Sequence, residues 1–284
     1  MVFHARNIPD DMTQLPIIQG QPSDKVACED CNLARICLPR DLEDSDIKDL
    51  AHVVRRNRSL RKDETLYRAG ERFTGLYALK SGSAKLVHTD RLGRNTLISV
   101  VLPGELFGFD GLTASEHRCT LVALETSRYC ELASHDLEPL ARKIPAVQQV
   151  LLERSCEQMD QAVEQLAANS RPAEERLAGF LLDLACRYRR RGFPSESFHL
   201  RLTRQEVGNH LGLALETVSR ILSRLQSVNI INVQGKRIQI LDRQSLEVAA
   251  GQSVDSSGFS APAVDPGQSG HKKPGVPSVR KPGA

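Results

Sequence analysis

The sequence predicts an α+β chain in which a small strand-rich unit, a long helix and a helix-turn-helix follow one another. Between residues 60 and 132, short apolar stretches alternate with glycines, as in a β-roll, barrel or sandwich. From Pro145 to Asn169, apolar residues recur at steps of three and four, which indicates a helix. Two short amphipathic segments then meet at the tripeptide LGL of residues 211–213.

Length and composition bound the class of protein. The chain has 284 residues, which suggests two domains, or one large one, at roughly 100–200 residues per domain. Its net charge of +3 is weak evidence for any partner, so nucleic-acid binding must depend on local clusters of positive charge. Neither an apolar run of membrane-spanning length nor a signal-like N-terminus stands out, so we expect a cytoplasmic protein with no membrane partner.

The decapeptide CEDCNLARIC places Cys28, Cys31 and Cys37 within ten residues of an irregular N-terminal segment. A reducing cytoplasm disfavours stable disulfides and therefore favours metal or redox chemistry for these thiols. A set of cysteine ligands suits zinc or an iron–sulfur cluster, whereas hard cations prefer oxygen. The spacing alone leaves both open, although the wide gap with apolar Leu33 and Ile36 favours iron–sulfur.

The long helix that opens at Pro145 would be about 36 Å long. A helix of this length either packs on its own domain or pairs with a copy of itself, and we expect pairing because a β-roll offers few surfaces that long. The residues assigned to this homodimer interface are Ile144, Val147, Leu151, Met159, Ala162 and Leu166.

The helix-turn-helix carries the most specific signals in the chain. Thr203 followed three positions later by Glu206 forms a capping box, and Gly212 permits the tight turn. The second helix, from about Ala214 to Ser227, has one apolar stripe and one polar stripe. A hairpin around Gly235 follows and reads as a wing.

An amphipathic helix with a solvated polar face would explain the second helix alone. The capping box, the turn, the paired helices and the basic hairpin together favour DNA binding instead. Ala214 departs from the pattern, because a Ser or Thr there could cap the helix. The candidate DNA contacts are Glu216, Ser219, Arg220, Thr203, Arg204, Thr217, Ser223, Lys236 and Arg237.

Over about residues 25–247 the chain resembles the cyclic-AMP receptor protein and FNR superfamily of bacterial transcription regulators. The resemblance is carried by YRAGERFTGLYALKSGSAKLV (67–87), LPGELFGFDGL (102–112), LETSRYCEL (124–132), AEERLAGFLLDLA (173–185) and LTRQEVGNHLGLALETVSRIL (202–222). Within the superfamily it looks like the oxygen-sensing FNR branch. The implied fold is a β-roll similar to cyclic-nucleotide-binding domains, a long dimerisation helix and a C-terminal winged helix-turn-helix.

The FNR resemblance implies a [4Fe–4S] cluster bound by three N-terminal cysteines and one from the β-roll. The matching residues are Cys28, Cys31, Cys37 and Cys130. Cys119 also lies in the roll, but the stretch ETSRYCEL favours Cys130 as the fourth ligand. The intact cluster is then expected to stabilise the DNA-binding dimer, and oxygen is expected to disassemble it and lower DNA binding.

Cyclic-nucleotide binding is not expected. In the cyclic-AMP branch a Glu holds the ribose, and the Arg of a downstream Arg-Ser pair holds the phosphate. The positions that match here are Phe109 and Arg118-Cys119, so the Glu is missing. A Gly-Glu pair does occur at residues 104–105, but it lies one turn too early.

The stretch ETVSR matches the FNR-type recognition pattern and implies an inverted repeat close to TTGAT-N4-ATCAA. By this resemblance Arg220 reads the guanine, Glu216 the cytosine paired with it, and Ser219 the thymine region. RNA polymerase is the further partner that the family implies, and the surface turn 89–95 could touch it as readily as serve as a solvated turn.

The expected domains are a cysteine-rich cluster-binding segment (1–40), a β-roll sensor (41–136), a dimerisation helix (137–170), a winged helix-turn-helix (171–247) and a disordered tail (248–284). The chain is not expected to be an enzyme. Two alternatives stay open, namely a regulator of the same fold that senses nitric oxide or holds structural zinc, and a cysteine-based redox enzyme.

Overall fold

The computed structural model describes residues 31, 33, 37 and 42–252. Cys28 and residues 253–284, most of the predicted tail, lie outside the described residues. Within the described part, no helix is long and apolar enough to cross a membrane.

Seven α-helices and eleven strands are formed by the described residues. The helices are α1 (Asp44–Val53), α2 (Ser134–Lys143), α3 (Pro145–Ala168), α4 (Ala173–Arg189), α5 (Arg204–Leu211), α6 (Leu215–Ser227) and α7 (Arg243–Ala249). The strands are β1 (Val54–Leu60), β2 (Thr65–Tyr67), β3 (Gly75–Ser81), β4 (Ala84–Thr89), β5 (Asn95–Val101), β6 (Leu106–Phe107), β7 (Thr120–Ala123), β8 (Ser127–Ala133), β9 (Ser197–His199), β10 (Ile231–Gln234) and β11 (Arg237–Ile240).

Strands β1 to β8 form a β-roll, which confirms the predicted fold class. They build two antiparallel four-stranded sheets, in the orders β1-β8-β3-β6 and β2-β7-β4-β5. Side chains alternate between the two faces of a strand, and one face of each sheet supplies the interior. Leu79, Tyr77, Phe107, Leu121 and Tyr129 are buried there.

Helices α1, α2 and the start of α3 cover the other face of the first sheet. Leu50, Leu140, Ile144 and Val147 form one buried apolar group, against which Leu132 of β8 also packs. Ile144 and Val147 are only 1% and 6% exposed within this chain, so they have almost no surface left for a second copy. The prediction that they lie in a dimer interface is therefore corrected, and the half-buried Leu151 turns toward the same group.

The winged helix follows α3. Helix α4 packs against α6 and α7, and the wing strands form a sheet of order β10-β11-β9. Leu177, Leu181, Val218, Leu222 and Leu225 are buried in its core. This arrangement confirms the predicted winged helix-turn-helix.

The winged helix and the β-roll of the same chain share a core. Leu97, Val100, Leu102 and Leu124 come from the roll, and they belong to the same buried apolar group as helices α4 and α6. Because that group is continuous, the winged helix is packed directly on the strand-rich half of the chain.

His210 marks the polar edge of this junction. Its Nδ1 lies 2.9 Å from the carbonyl oxygen of Leu97 and 3.2 Å from Nε2 of Gln165, so α5 meets both β5 and α3 at one ring. Burial lowers the pKa of His210 below its usual 6.5, although the hydrogen bond with Leu97 acts in the opposite direction.

The His210→Gln variant should reduce the pH dependence of stability just below neutrality. The folded pKa is lowered, so between that value and about 6.5 the unfolded chain binds more protons than the folded chain, and stability rises with pH. Above about 6.5 both states leave the ring neutral and this contribution is flat. Urea unfolding of wild type and variant, from about pH 5 to pH 7.5, measures the slope. His88→Gln, at an exposed position on β4, is the control; an unchanged slope in His210→Gln would contradict the assignment.

Candidate nucleic-acid interface and cysteine site

The first helix of the helix-turn-helix begins at a complete capping box. The backbone N–H of Glu206 donates to Thr203 Oγ1 at 3.2 Å, and the backbone N–H of Thr203 donates to Glu206 Oε2 at 2.7 Å. Lys85 of β4 pairs with the other oxygen of Glu206, so the box is also fastened to the roll. Burial disfavours the charged carboxylate, yet the Lys85 and Thr203 hydrogen bonds outweigh burial and hold the pKa of Glu206 below its usual value.

The turn between α5 and α6 depends on two glycines. Gly212 ends α5 with φ of 63°, a left-handed conformation that glycine adopts without strain. Gly208 lies where the turn folds back on the helix, and a Cβ built on it would be 2.5 Å from the carbonyl oxygen of Leu213. The sequence predicts the role of Gly212 but not that of Gly208, for which its position one helical turn before Gly212 is the available signal.

Helix α6 has the two faces that the sequence predicts. Its apolar residues, Val218, Ile221, Leu222 and Leu225, are buried. On the other face Glu216, Arg220 and Ser223 are exposed, and Thr217 and Ser219 are half-buried. No side chain caps the helix at Ala214, as the sequence indicates. The exposed face therefore presents an acceptor, a guanidinium and a hydroxyl on a rigidly docked helix.

The remaining candidate DNA contacts lie around this helix. Thr203 and Arg204 are exposed at the start of α5, and Arg204 Nη1 donates to Ser219 Oγ at 3.1 Å. Lys236 and Arg237 are exposed at the wing turn, where Lys236 Nζ donates to the Arg201 carbonyl oxygen at 2.7 Å. The predicted contacts thus lie on one continuous part of the winged helix, and their roles toward DNA stay predictions.

Helix α3 carries an exposed apolar stripe. Its members are Leu152, Cys156, Met159, Val163 and Leu166, at alternating steps of four and three. The four large ones are between 63% and 72% exposed. The same spacing was visible in the sequence, but the predicted interface followed the neighbouring stripe and contained only Met159 and Leu166 of this set. Ala162, also predicted, is exposed beside it.

Cys130 lies on the helix-covered face of the first sheet. It is half-buried on β8 and stands opposite Ala78 of β3. Leu132, two residues later and so on the same face, packs against the apolar group that includes Leu42 and Leu50. Cys37 precedes Leu42 by five residues, a stretch that spans at most about 17 Å. Cys37 is therefore tethered close to Leu42, which packs on the side of the roll on which Cys130 lies.

Cys119 has a different environment. It is buried within the roll, and its backbone N–H donates to Asp110 Oδ2 at 3.0 Å. Burial, together with the Asp110 carboxylate, raises the pKa of the Cys119 thiol to about 11. Because metals bind the thiolate, this environment disfavours Cys119 as a ligand and leaves Cys130 the better candidate in the roll.

The other predicted ligands are only partly described. Cys31 and Cys37 are half-buried, Leu33 between them is buried, and Cys28 lies outside the described residues. Within residues 31, 33, 37 and 42–252, no three histidine, cysteine or acidic side chains are grouped as a metal site. By its chemistry, the all-thiol donor set fits an iron–sulfur cluster or zinc.

In the segment that matches a nucleotide-binding cassette, the side chains at and near the position of the ribose-binding Glu contact other residues of the same chain. Phe109, at the position of the ribose-binding Glu, is buried against Leu76 and Leu137. The Glu105 carboxylate, one turn earlier, is bound by Arg187 and Arg191. These two arginines are 82 and 86 residues away along the chain, so no local pattern in the sequence indicates them.

Comparisons with known proteins agree with this architecture. Residues 57–143 match the cyclic nucleotide-binding domain family, and residues 175–249 match the Crp-like helix-turn-helix domain family. The chain is 39% identical to the transcriptional activator protein Anr of Pseudomonas protegens, over 80% of this chain and 94% of that protein. It is 36% identical to the fumarate and nitrate reduction regulatory protein of Vibrio cholerae, over 81% of this chain and 93% of that protein.

Among solved structures, FixK2 from Bradyrhizobium japonicum is similar with a TM-score of 0.62 and 28% sequence identity. The match covers 68% of this chain and 96% of FixK2. A relative named anaerobic regulatory protein, from Haemophilus influenzae, is 36% identical over 78% of this chain and 86% of its own length.

The Gly208→Ala variant should lose about 1–3 kcal/mol of stability, because the added methyl group clashes with the backbone of the turn. DNA binding should weaken with it, since α6 cannot keep its position. Gly179→Ala in α4 is the matched control: nothing lies within 4 Å of its added Cβ, so it should be neutral or gain about 0.5–1 kcal/mol. Urea unfolding compares the two, and equal stability of both variants would contradict the close approach.

Proposed function

Because the chain belongs to the FNR-type branch of the Crp/FNR family of transcription regulators, we propose that it controls transcription in response to oxygen through a [4Fe–4S] cluster. As a member of this family it is a DNA-binding regulator of anaerobic transcription and not an enzyme. The cluster, the operator sequence and the polymerase contact are the parts that we propose.

The observation that carries the DNA-binding part of the proposal is the exposed polar face of α6, on a helix whose other face is buried. An Arg pairs bidentately with guanine in the major groove, and a Glu accepts from cytosine N4. Arg220 and Glu216 are exposed one helical turn apart, so both can address one base pair. We assign the site TTGAT-N4-ATCAA, with Ser219 at the thymines and with Thr203, Arg204, Thr217, Ser223, Lys236 and Arg237 at the flanking backbone or bases.

An inverted repeat is bound by two recognition helices, one from each of two chains. The exposed stripe on α3 supports such a homodimer. Leu152, Met159, Val163 and Leu166 follow the heptad spacing of a two-stranded coiled coil. Large apolar side chains exposed in a row are a feature of interaction surfaces. A second copy of the chain would cover them and place the two α6 helices about one DNA turn apart.

Four thiols are proposed to hold the cluster: Cys28, Cys31, Cys37 and Cys130. When bound, the cluster would supply the oxygen-reactive group and join the N-terminal segment to strand β8. The chain's own residues connect that place to the dimer helix, because Leu50 of α1 packs against Ile144 and Val147 at the start of α3. Ordering of the N-terminal segment can therefore affect the N-terminal end of α3, the proposed dimer helix.

The turn between β4 and β5 is the surface proposed for RNA polymerase. Asp90 Oδ1 accepts hydrogen bonds from the backbone N–H groups of Leu92 and Arg94, at 2.8 and 2.9 Å. The turn is therefore ordered while Leu92 is 78% exposed at its tip.

The Cys130→Ala variant, purified without oxygen, should lack bound iron and acid-labile sulfide. It should also lose the difference in DNA affinity between anaerobic and air-exposed protein. Cys119→Ala should keep both, because its thiol is buried in the roll. Iron and sulfide analysis, absorption spectra and DNA anisotropy measure these effects. Wild-type protein with one zinc per chain and no sulfide would contradict the cluster, and the reverse behaviour of the two variants would reassign the fourth ligand.

The Arg220→Ala variant should lose about 1–3 kcal/mol of binding free energy at one guanine of each half-site. The loss should shrink when that guanine is replaced, since the contact is then already missing. Titrations of matched and substituted duplexes at one salt concentration measure it. An equal loss on every sequence would mean that Arg220 touches phosphate only.

The Val163→Glu variant should shift the protein from dimer to monomer, because it places two charges in the apolar seam. Gln161→Glu, at an exposed position off the stripe on the same helix, should leave the dimer intact. Sedimentation equilibrium measures the association constant. A Val163→Glu variant that dimerises like Gln161→Glu would show that the partner lies elsewhere.

A further inference from the structure

The Glu105 carboxylate lies in the turn between β5 and β6 and accepts four hydrogen bonds. Oε1 accepts from Arg187 Nε at 2.9 Å and from Arg191 Nη2 at 2.5 Å. Oε2 accepts from Arg187 Nη2 at 2.7 Å and from the backbone N–H of Leu102 at 2.8 Å. Both oxygens are thus fully used, and Arg187 binds them as a bidentate fork.

Arg187 lies in the last turn of α4, and Arg191 follows two residues after the helix ends at Arg189. Their side chains are 17% and 7% exposed, against 21% for Glu105. Both arginines also donate to backbone carbonyls of the roll: Arg191 Nε donates to that of Pro103 at 2.6 Å, and Arg187 Nη2, which also binds Glu105, donates to that of Val100. The end of α4 is therefore fixed in direction by several hydrogen bonds to one turn of the roll.

The turn that contains Glu105 is also hydrogen-bonded through its backbone to β3, the strand that pairs with β8 beside Cys130. The backbone N–H of Leu79 donates to the Glu105 carbonyl oxygen at 3.1 Å, and the backbone N–H of Gly104 donates to that of Leu79 at 2.7 Å. Leu79 follows Ala78 on β3, and Ala78 is the residue opposite Cys130 on β8. Only one strand pairing and these two hydrogen bonds separate Cys130 from the turn.

Beyond the arginines, α4 is joined firmly to the DNA-reading helices. Its apolar residues share the core of α6. Arg176 Nη1 donates to the Leu211 carbonyl oxygen at the end of α5 at 2.6 Å, and Glu174 pairs with Arg224 of α6 at 2.8 Å. A change in the direction of α4 would therefore carry the recognition helix with it.

We propose that Glu105 is a positioning residue that couples strands β3 and β8 to the recognition helix, by holding Arg187 in the last turn of α4 and Arg191 just beyond it. The oxygen-dependent part of this inference rests on the proposed function, because it takes Cys130 as a ligand of the sensing group. Glu105 belongs to a Gly-Glu pair that lies one turn too early to bind a nucleotide. It thus serves to link the β-roll to the recognition helix.

Another ion pair across the same boundary provides a matched control. Glu125 Oε2 pairs with Arg201 Nη2 at 2.9 Å, with the two side chains 30% and 40% exposed. Glu125 follows β7 of the second sheet, and it accepts a hydrogen bond from Ser83. It therefore joins the same two halves of the chain without binding Leu79.

The test uses the full-length protein, purified without oxygen. The dissociation constant for a TTGAT-N4-ATCAA duplex is measured by fluorescence anisotropy before and after exposure to air, and their ratio is the oxygen response. Glu105→Gln should reduce that ratio by about fivefold or more, with iron and sulfide content unchanged. Glu105→Asp, which keeps the charge, should restore much of the ratio, and Glu125→Gln should keep it within about twofold of wild type.

If Glu105→Gln raises both dissociation constants by the same factor, the oxygen response is unchanged and the proposal is overturned, because Glu105 would then be structural only. Loss of iron in this variant would also overturn it, since the residue would act at the cluster itself. If Glu105→Gln does not fold, Arg191→Lys replaces it, because the charge remains while the hydrogen bond to Pro103 is lost. Its oxygen response should fall likewise, and a wild-type response would count against the coupling.

A wild-type protein that binds DNA equally with and without air would refute the proposed function but not the coupling. The coupling is then measured by amide hydrogen exchange in anaerobic protein. Exchange at Ala78–Lys80 and at the end of α4 should both accelerate in Glu105→Gln and stay unchanged in Glu125→Gln. Acceleration at the end of α4 alone would overturn the coupling.

Discussion

Helix α4 is buried on two sides at once, and the arrangement of the whole chain depends on that double burial. Leu177 and Leu181 are fully buried in a core that α6 completes, and Leu97 and Leu102 of the β-roll belong to the same core. Burying one leucine contributes about 1.5–3 kcal/mol, whereas a surface ion pair contributes about 0–1 kcal/mol. The apolar contact thus supplies most of the affinity between the two halves.

Polar groups set the relative orientation of the two halves within that contact. Burial disfavours the charged form of Glu105, yet the Arg187 and Arg191 guanidiniums outweigh burial and hold the pKa of its carboxyl below the usual value. A buried ion pair of this kind adds little net stability, but it is satisfied in one geometry only. Lys85 and Glu206 fix a second point of the same boundary at the capping box of α5. Apolar packing holds the halves together, and these charges select one orientation.

Two surfaces stay exposed for opposite chemical reasons. The stripe on α3 is apolar, which is costly in water and is relieved by a second helix with the same stripe. The outer face of α6 is polar, so it is stable in water and is available for base edges and phosphates. A dimer of such chains would present two α6 helices on one side of a common axis. In this arrangement the strand-rich half can influence both the pairing helix and the reading helix, through Leu50 on one side and Glu105 on the other.

Local patterns in the sequence were sufficient for the helix-turn-helix, because its signals depend on residues three or four positions apart. The Thr203–Glu206 box, the left-handed Gly212 and the uncapped Ala214 all follow from the sequence and are present in the structure. The β-roll was predictable as a class from its glycine-punctuated strands. The choice of Cys130 came from resemblance, since spacing alone could not connect it with cysteines about a hundred positions earlier.

Tertiary structure decided what one-dimensional periodicity cannot. Two apolar stripes run side by side along α3, and only packing reveals that Val147, with Ile144 just before the helix, faces the chain's own core while Val163 and Leu166 face outward. Glycine is needed at position 208 because the backbone comes close to it after the turn. A Cβ built there would lie 2.5 Å from the carbonyl oxygen of Leu213. The partners of Glu105 lie more than eighty residues away, and a half-buried carboxylate pairs with whichever cations the fold brings to it. The sequence therefore determined the elements and their chemistry, and the fold decided which faces meet, because burial and charge pairing depend on distance in space.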